Sequence, residues 1–329
     1  MKEVNTILEQ IRKGDVKPVY ILDGEESYYI DLLTAAFEKE LLQPHERDFN
    51  LNVLYSRETT WAEVHNACRS YPVFAARRLV ILKEADQLKQ IDKLAEYISA
   101  PADSTVLVIA YHKKTCPLAK KLGKRGEHLN FMPLKEYRIP DWIIDYCRAH
   151  NLRISPENAA KLASHLGTDL QKIVNEVSKV LLNLQPGAEI TAEVIEKFIG
   201  ISKEYSPFEF AAALVKRDRM QAYKAMAYYV ANPKSADLTV VAGSLYREFS
   251  KVYLYHFVKQ KPKPEIAAAI GTSPYFVDQY ATGAARYSPE QTRQALMLIH
   301  QLAQQAVGLD TADRNHNLLK PFTEQMLTL

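Results

Sequence analysis

Residues 17–31 read KPVYILDGEESYYID. Val19 to Leu22 make a compact apolar run that stops at Asp23 and Gly24. From Ser27 onward the apolar positions Ile30, Leu33, Phe37 and Leu41 recur at helical spacing. The stretch predicts strand, turn, helix. Four further short apolar segments follow it. They are 50–55 (NLNVLY), Leu79 to Leu82 within RRLVILKEAD, 105–111 (TVLVIAY) and 129–134 (LNFMPL). Helical patterns over 1–13, 60–69 and 88–99 flank them. Near-continuous Val, Leu and Ile in 105–111 is the pattern of a strand buried on both faces. Strands alternating with helices predict a parallel sheet covered on both sides.

The texture changes after residue 138. Helical patterns succeed one another over 139–150, 155–165, 168–184 and 191–200. A longer all-helical stretch follows, at 206–216, 219–231, 236–260, 264–271, 274–285 and 288–308. Asp169 or Thr168 can cap the third of the first set, and Pro186-Gly187 stops it. The lysine- and proline-rich KQKPKP at 259–264 interrupts the second set. The expected organisation is an α/β domain at 1–138, a small helical domain at 139–205 and a larger helical domain at 206–329.

Composition narrows the function classes. The 329 residues include only 11 glycines, against an average usage of about 7%. They are scattered, and neither G-x-x-x-x-G-K-[ST] nor G-x-G-x-x-G occurs. A phosphate-cradling loop is therefore not expected. The net charge of +3 gives no bulk polybasic signature, so nucleic acid would have to meet a local patch. Nineteen tyrosines suit surfaces that are apolar on one side and wet on the other. Cys68, Cys116 and Cys147 lie far apart, which disfavours a disulfide framework or zinc site. His112 and Cys116, four apart, lack further ligands or an orienting acid and are assigned neither a metal nor a nucleophile. The N-terminal MKEVNTILEQIRKGD reads as a polar amphipathic helix and not as a signal peptide. With no apolar run of about 18 residues, a cytoplasmic, non-membrane protein is expected.

An α/β domain followed by helices is the plan of nucleotide-switch ATPases, and each nucleotide element here has a degenerate counterpart. Where a phosphate loop would present glycine, lysine and serine, this chain has Gly24-Glu25-Glu26-Ser27. Two carboxylates there repel a triphosphate. After the third strand, Glu84 and Asp86 stand where a magnesium-holding carboxylate would be. In order and spacing, KPVYILDGEESYYID, RRLVILKEADQL, LASHLGTDLQKIVNEVSKVLL and ITAEVIEKFIGISKEYSPFEFAAAL resemble the delta subunit of the bacterial DNA polymerase III clamp loader. The resemblance extends over essentially the whole chain, although LDTADRNHNLLKPF departs from the commoner ending.

The resemblance implies a RecA-like N-terminal domain with a degenerate phosphate loop, an all-α lid and an all-α collar. It implies a non-hydrolysing subunit of a DNA-directed DNA polymerase (nucleotidyltransferase) holoenzyme, with no polymerase site of its own. ATP is hydrolysed by sister subunits, and neither a cofactor nor a metal is expected. The implied partners are the sliding clamp, other loader subunits met through the collar, and primed DNA within the assembled complex. By position, Tyr71, Pro72, Val73 and Phe74 carry the clamp contact, with Phe74 as the main anchor and Pro72 stiffening the loop. Without the resemblance, Val73 and Phe74 read as core residues covering the sheet edge.

Other features have a functional and a plain reading. Lys113, Lys114, Lys120, Lys121, Lys124 and Arg125 form the densest basic cluster. It either tracks phosphates or is a solvated face. Tyr275 and Phe276 either offer an aromatic to a DNA base or pack in the helical core. Arg77 and Arg78 either steer an acidic partner or flank a strand. No arginine finger is assigned, because KKTCPLAKK lacks the Ser-Arg-Cys element of the ATP-binding members. Two other functional classes compete: an active ATPase with an atypical loop, and a helical DNA-binding regulator using 264–285.

Overall fold

The structure is a computed structural model that describes residues 2–199, 206–309 and 315–329. The chain divides into two compact units, Met1–Leu134 and Lys135–Leu329.

In the first unit, α1 (Lys2–Lys13), β1 (Val19–Gly24), α2 (Ser27–Glu40), α3 (Pro44–Asn50), β2 (Leu51–Tyr55), α4 (Trp61–Arg69), β3 (Arg78–Lys83), α5 (Ala95–Ser99), β4 (Thr105–Tyr111) and β5 (Gly126–Phe131) follow in order. The five strands form one sheet in the order β2-β3-β4-β1-β5, and every pairing is parallel. β1 is fully buried, which explains its unbroken apolar run. Its two faces pack differently. Val19 and Ile21 join Val64 and Cys68 of α4, with Val80, Leu82, Leu107 and Ile109, in one core cluster. Tyr20 points the other way, with its ring 4.7 Å from that of Phe37 on α2.

Three details differ from the sequence reading. The last strand lies at Gly126–Phe131 rather than 129–134, because it takes the register that pairs Gly126 with Val19 and Phe131 with Gly24. Pro133 has no N–H with which to extend the ladder. The pattern at 88–99 is not one helix. Gln90 adopts a left-handed backbone (φ 57°), so Ile91 and Leu94 reach the core from a 3-10 turn and Tyr97 and Ile98 from α5. An unforeseen helix, α3, starts at Pro44 with reciprocal capping between Gln43 and Glu46.

The second unit runs α6 (Ile139–Ala149), β6 (Arg153–Ile154), α7 (Pro156–Leu166), α8 (Leu170–Leu181), β7 (Glu189–Ile190), α9 (Ala192–Ile199), α10 (Pro207–Val215), α11 (Arg219–Ala231), α12 (Leu238–Val258), α13 (Lys263–Ile270), α14 (Val277–Arg286), α15 (Pro289–Ala306) and α16 (Leu319–Thr328). Among its described residues the only strands are β6 and β7, a two-residue parallel ladder. That ladder sits in the stretch read as purely helical, and its Ile154 and Ile190 are buried. Of the two caps offered for α8, Asp169 is the one used, and Ser155 on α7, Ser206 on α10 and Ser288 on α15 cap their helices in the same way. The core gathers Phe210, Tyr229, Leu245, Phe249, Tyr287 and Ile299 with Phe322 and Met326 of α16. The last helix is therefore an integral part of this core. The quoted stretches ITAEVIEKFIGISKEYSPFEFAAAL and LDTADRNHNLLKPF lie partly outside the described residues.

Candidate functional site

The first candidate is the turn between β1 and α2, where a phosphate loop would sit. Gly24 has φ +125°, and a Cβ there would meet the Phe131 carbonyl oxygen at 1.9 Å. The turn is tied down by neighbouring strand ends: Gly24 N–H donates to the Lys113 carbonyl and Glu26 N–H to that of Phe131, both at 3.0 Å. Glu26 is the N-cap of α2, and its buried carboxylate accepts from the Tyr28 N–H at 3.2 Å. The helix N-terminus, which elsewhere receives an anion, here holds the chain's own carboxylate.

Beside this turn lies a cleft of about 570 Å³ lined by Asp31, Thr34, Tyr55, Lys83, Asp86 and His112 among others. It opens at the carboxyl ends of the strands, where ligands bind in open α/β sheets. Its charged groups are already paired, His112 with Asp31 across the cleft and the others with residues at its edge. His112 Nε2 lies 3.0 Å from Asp31, and that hydrogen bond raises the imidazole pKa above its ordinary value. Burial pulls the Lys83 ammonium down, but the Glu38 carboxylate 2.8 Å away more than offsets this, leaving its pKa raised. Glu84 pairs with Arg57 and Asp86 with Lys113, each at 3.4 Å. His112 thus does have an orienting acid, which the sequence did not reveal. Cys116 is buried, and burial pushes its thiol up to about 11. Cys68 and Cys147 are likewise buried, with pKa values near 12. Among the described residues no group of three His, Cys, Asp or Glu side chains could hold a metal ion.

The second candidate is the loop between α4 and β3. Phe74 is 99% exposed, Tyr71 86% and Val73 40%, while Pro72 is half-buried. A monomeric chain gains nothing by turning a phenylalanine fully into water. Phe74 also adopts a left-handed backbone, φ 52°, which costs a non-glycine residue about 1–2 kcal/mol. The loop is nevertheless anchored. The buried Asn50 carboxamide accepts from the Val73 N–H at 2.7 Å and donates to the Val73 carbonyl at 2.8 Å. Arg78 donates to the carbonyls of Phe49 (3.2 Å) and Tyr71 (3.3 Å) and to the Asn52 side chain (2.6 Å). Arg77 donates to the Gly14 carbonyl at 2.8 Å. Both arginines therefore have roles inside the fold.

The remaining predicted residues stand apart from this loop. Lys120 and Lys121 end a 3-10 turn, and both are exposed, as is Lys124. Arg125 is held by a close ion pair to Asp103 and donates to the Pro101 carbonyl at 3.3 Å. Tyr275 and Phe276 lie in a 3-10 turn ahead of α14. Tyr275 is 65% exposed and Phe276 packs against the core, so neither plain reading nor functional reading covers both.

Three features escaped the sequence reading. Phe49, largely exposed, sits on α3 one residue before Asn50. Asn50 reaches a partner 23 positions away. Asp23 is fully buried at the end of β1. It accepts from the Cys116 N–H (2.7 Å), His128 Nε2 (2.9 Å) and Asn130 Nδ2 (2.7 Å), a set that satisfies a buried carboxylate. Alternation in β5 places His128 and Asn130 on one face, and this was the available signal.

Residues 20–130 match the family described as DNA polymerase III, delta subunit. The Bacillus subtilis (strain 168) DNA polymerase III subunit delta is 23% identical to this chain, with 95% of the chain and 93% of that protein covered. Among solved structures, the Bacillus subtilis DNA clamp loader delta protein (YqeN) aligns with 99% of this chain and 100% of its own. Its TM-score is 0.56 at 20% identity. The two chains share the fold, an α/β first domain followed by helical ones.

Proposed function

We propose, from the premise that this chain is a relative of the DNA polymerase III delta subunit, that it is the non-hydrolysing clamp-loader subunit that binds the sliding clamp and promotes its opening. The observation that carries the reading is Phe74, wholly exposed on a backbone pinned by a buried asparagine. Tyr71, Pro72, Val73 and Phe74 form the contact, with Phe49 beside them. An aromatic anchor entering a pocket commonly dominates an interface.

The action is mechanical. A closed ring is in equilibrium with an open one, and a protein that binds the open form better shifts the balance toward it by its differential affinity. ATP is hydrolysed by sister subunits. Glu26 on the α2 N-terminus and the paired charges of the cleft agree with a chain that leaves that step to others. The words polymerase and nucleotidyltransferase describe the holoenzyme and not this chain. We further propose that the second unit divides into a lid at 139–205 and a collar at 206–329 that joins other loader subunits. Exposed Tyr246, Leu254 and Phe257 of α12, with Met297 of α15, offer apolar surface for that assembly. Within the loader, Lys120, Lys121 and Lys124 are proposed to meet DNA phosphates and Tyr275 a base, with Arg125 contributing less because Asp103 holds it. The work is placed in the cytoplasm during replication.

The test uses the sliding clamp of the same organism, closed on nicked circular DNA. Addition of this chain should bind the clamp and release it from the DNA without ATP. A chain that neither binds the clamp nor speeds its release overturns the proposal.

A further inference from the structure

We propose that Asn50 is the positioning residue of the clamp-binding loop, holding it so that Phe74 projects before the clamp arrives. This rests on the clamp-binding reading above.

Asn50 ends α3 and is fully buried. Its carboxamide has one acceptor and two donors, and each is used. Oδ1 accepts from the Val73 N–H at 2.7 Å, and Nδ2 donates to the Val73 carbonyl at 2.8 Å and to the Glu46 carbonyl at 3.0 Å. The side chain thus pairs with Val73 as a strand backbone would. One bond runs into the helix that carries it, so the loop is referenced to α3.

The residue immediately after Val73 is Phe74, in its left-handed conformation. Such a conformation persists only where its surroundings impose it. Phe74 is exposed and receives no such constraint from its own side chain. The constraint comes from the flanks. On one side Val73 is pinned to Asn50. On the other, Arg77 and Arg78 are tied to the Gly14, Phe49 and Tyr71 carbonyls. Release of Val73 frees the loop to bury Phe74 elsewhere or to populate many conformers. The fraction of chains competent to bind then falls, and apparent affinity falls by that same fraction.

The experiment measures clamp affinity for the intact wild-type chain, Asn50→Ala, Phe74→Ala and the double variant. Two neutral hydrogen bonds to the loop correspond to about a tenfold loss for Asn50→Ala. Because Asn50 acts through Phe74, the double variant should bind no more than about twofold worse than Phe74→Ala alone. A residue with a merely structural role would instead give multiplied losses, and that result overturns the proposal. So does unchanged affinity in Asn50→Ala while Phe74→Ala is impaired. If Phe74→Ala binds like wild type, the clamp-binding reading itself fails and takes this proposal with it. A measurement on the wild-type chain covers the case of an Asn50→Ala protein that does not fold. The Val73 amide, although in an exposed loop, should exchange with solvent slowly, and exchange at the rate of a free peptide overturns the proposal.

Discussion

Replacing Phe74 with alanine separates a partner contact from a core residue, because the two roles predict opposite results in two assays. In the free chain the side chain is 99% exposed, so folding buries almost none of it. Its removal should change unfolding free energy by no more than about 0.5 kcal/mol. On the clamp the ring would bury about 150 Å², and at about 25 cal/mol per Å² that stabilises the complex by about 4 kcal/mol. Alanine retains part of this, so a loss of about 3 kcal/mol, near a hundredfold in Kd, is expected. The assays are surface plasmon resonance on immobilised clamp and thermal unfolding by circular dichroism. A glycine variant adds a control. Relief of about 1–2 kcal/mol of left-handed strain roughly offsets about 0.4–1 kcal/mol of added unfolded-chain freedom. Phe74→Gly should thus lose clamp binding without losing stability. The reasoning is refuted if Phe74→Ala keeps wild-type affinity. It is equally refuted if the melt falls by on the order of 10 °C, the signature of about 3–5 kcal/mol from a core aromatic.

Other outcomes follow from the same geometry. Gly24→Ala drives a Cβ to 1.9 Å from the Phe131 carbonyl oxygen at φ +125°, and should cost more than about 3 kcal/mol in urea unfolding of the chain. Glu26→Ala removes the α2 cap and should lower stability by about 1 kcal/mol. Isothermal titration with Mg-ATP should still detect no binding to this variant, since the loop has no lysine. The raised pKa of His112 has a definite sign. Its pairing with Asp31 contributes stability that is complete below the unfolded value near 6.5 and is lost as pH rises through the higher folded value. His165 and His256, lowered by burial, act in the opposite sense. The measurement is therefore the difference between wild type and His112→Gln in urea from pH 5.5 to 8.5. That difference should shrink with rising pH, and a constant difference refutes the assignment.

The parts of the fold legible in the sequence were those set by local chemistry. Val19–Leu22 reads as a buried strand because six consecutive positions of β1 are covered on both faces, leaving no polar alternation to confuse the pattern. Ser155, Asp169, Ser206 and Ser288 mark helix starts because their side chains satisfy N–H groups only a few residues away. The Gly24-Glu25-Glu26 turn is legible for the same reason: Glu26 caps a helix that begins at the next residue.

What the sequence could not convey depends on partners distant along it. The true span of β5 follows from its register beside β1, more than a hundred residues earlier. The break at Gln90 is a backbone choice that lets Ile91 and Leu94 reach a core assembled from four strands. His112 gains its acid from Asp31, and Asp23 its donors from β5, only once the sheet has formed. The candidate site shows the division most clearly. By itself, the sequence determined that Tyr71-Pro72-Val73-Phe74 is an apolar segment between a helix and a strand. Apolar character is the same whether a side chain is buried or displayed. Only the tertiary structure decided that Phe74 faces water, because it brings Asn50 across 23 residues to hold Val73 in place.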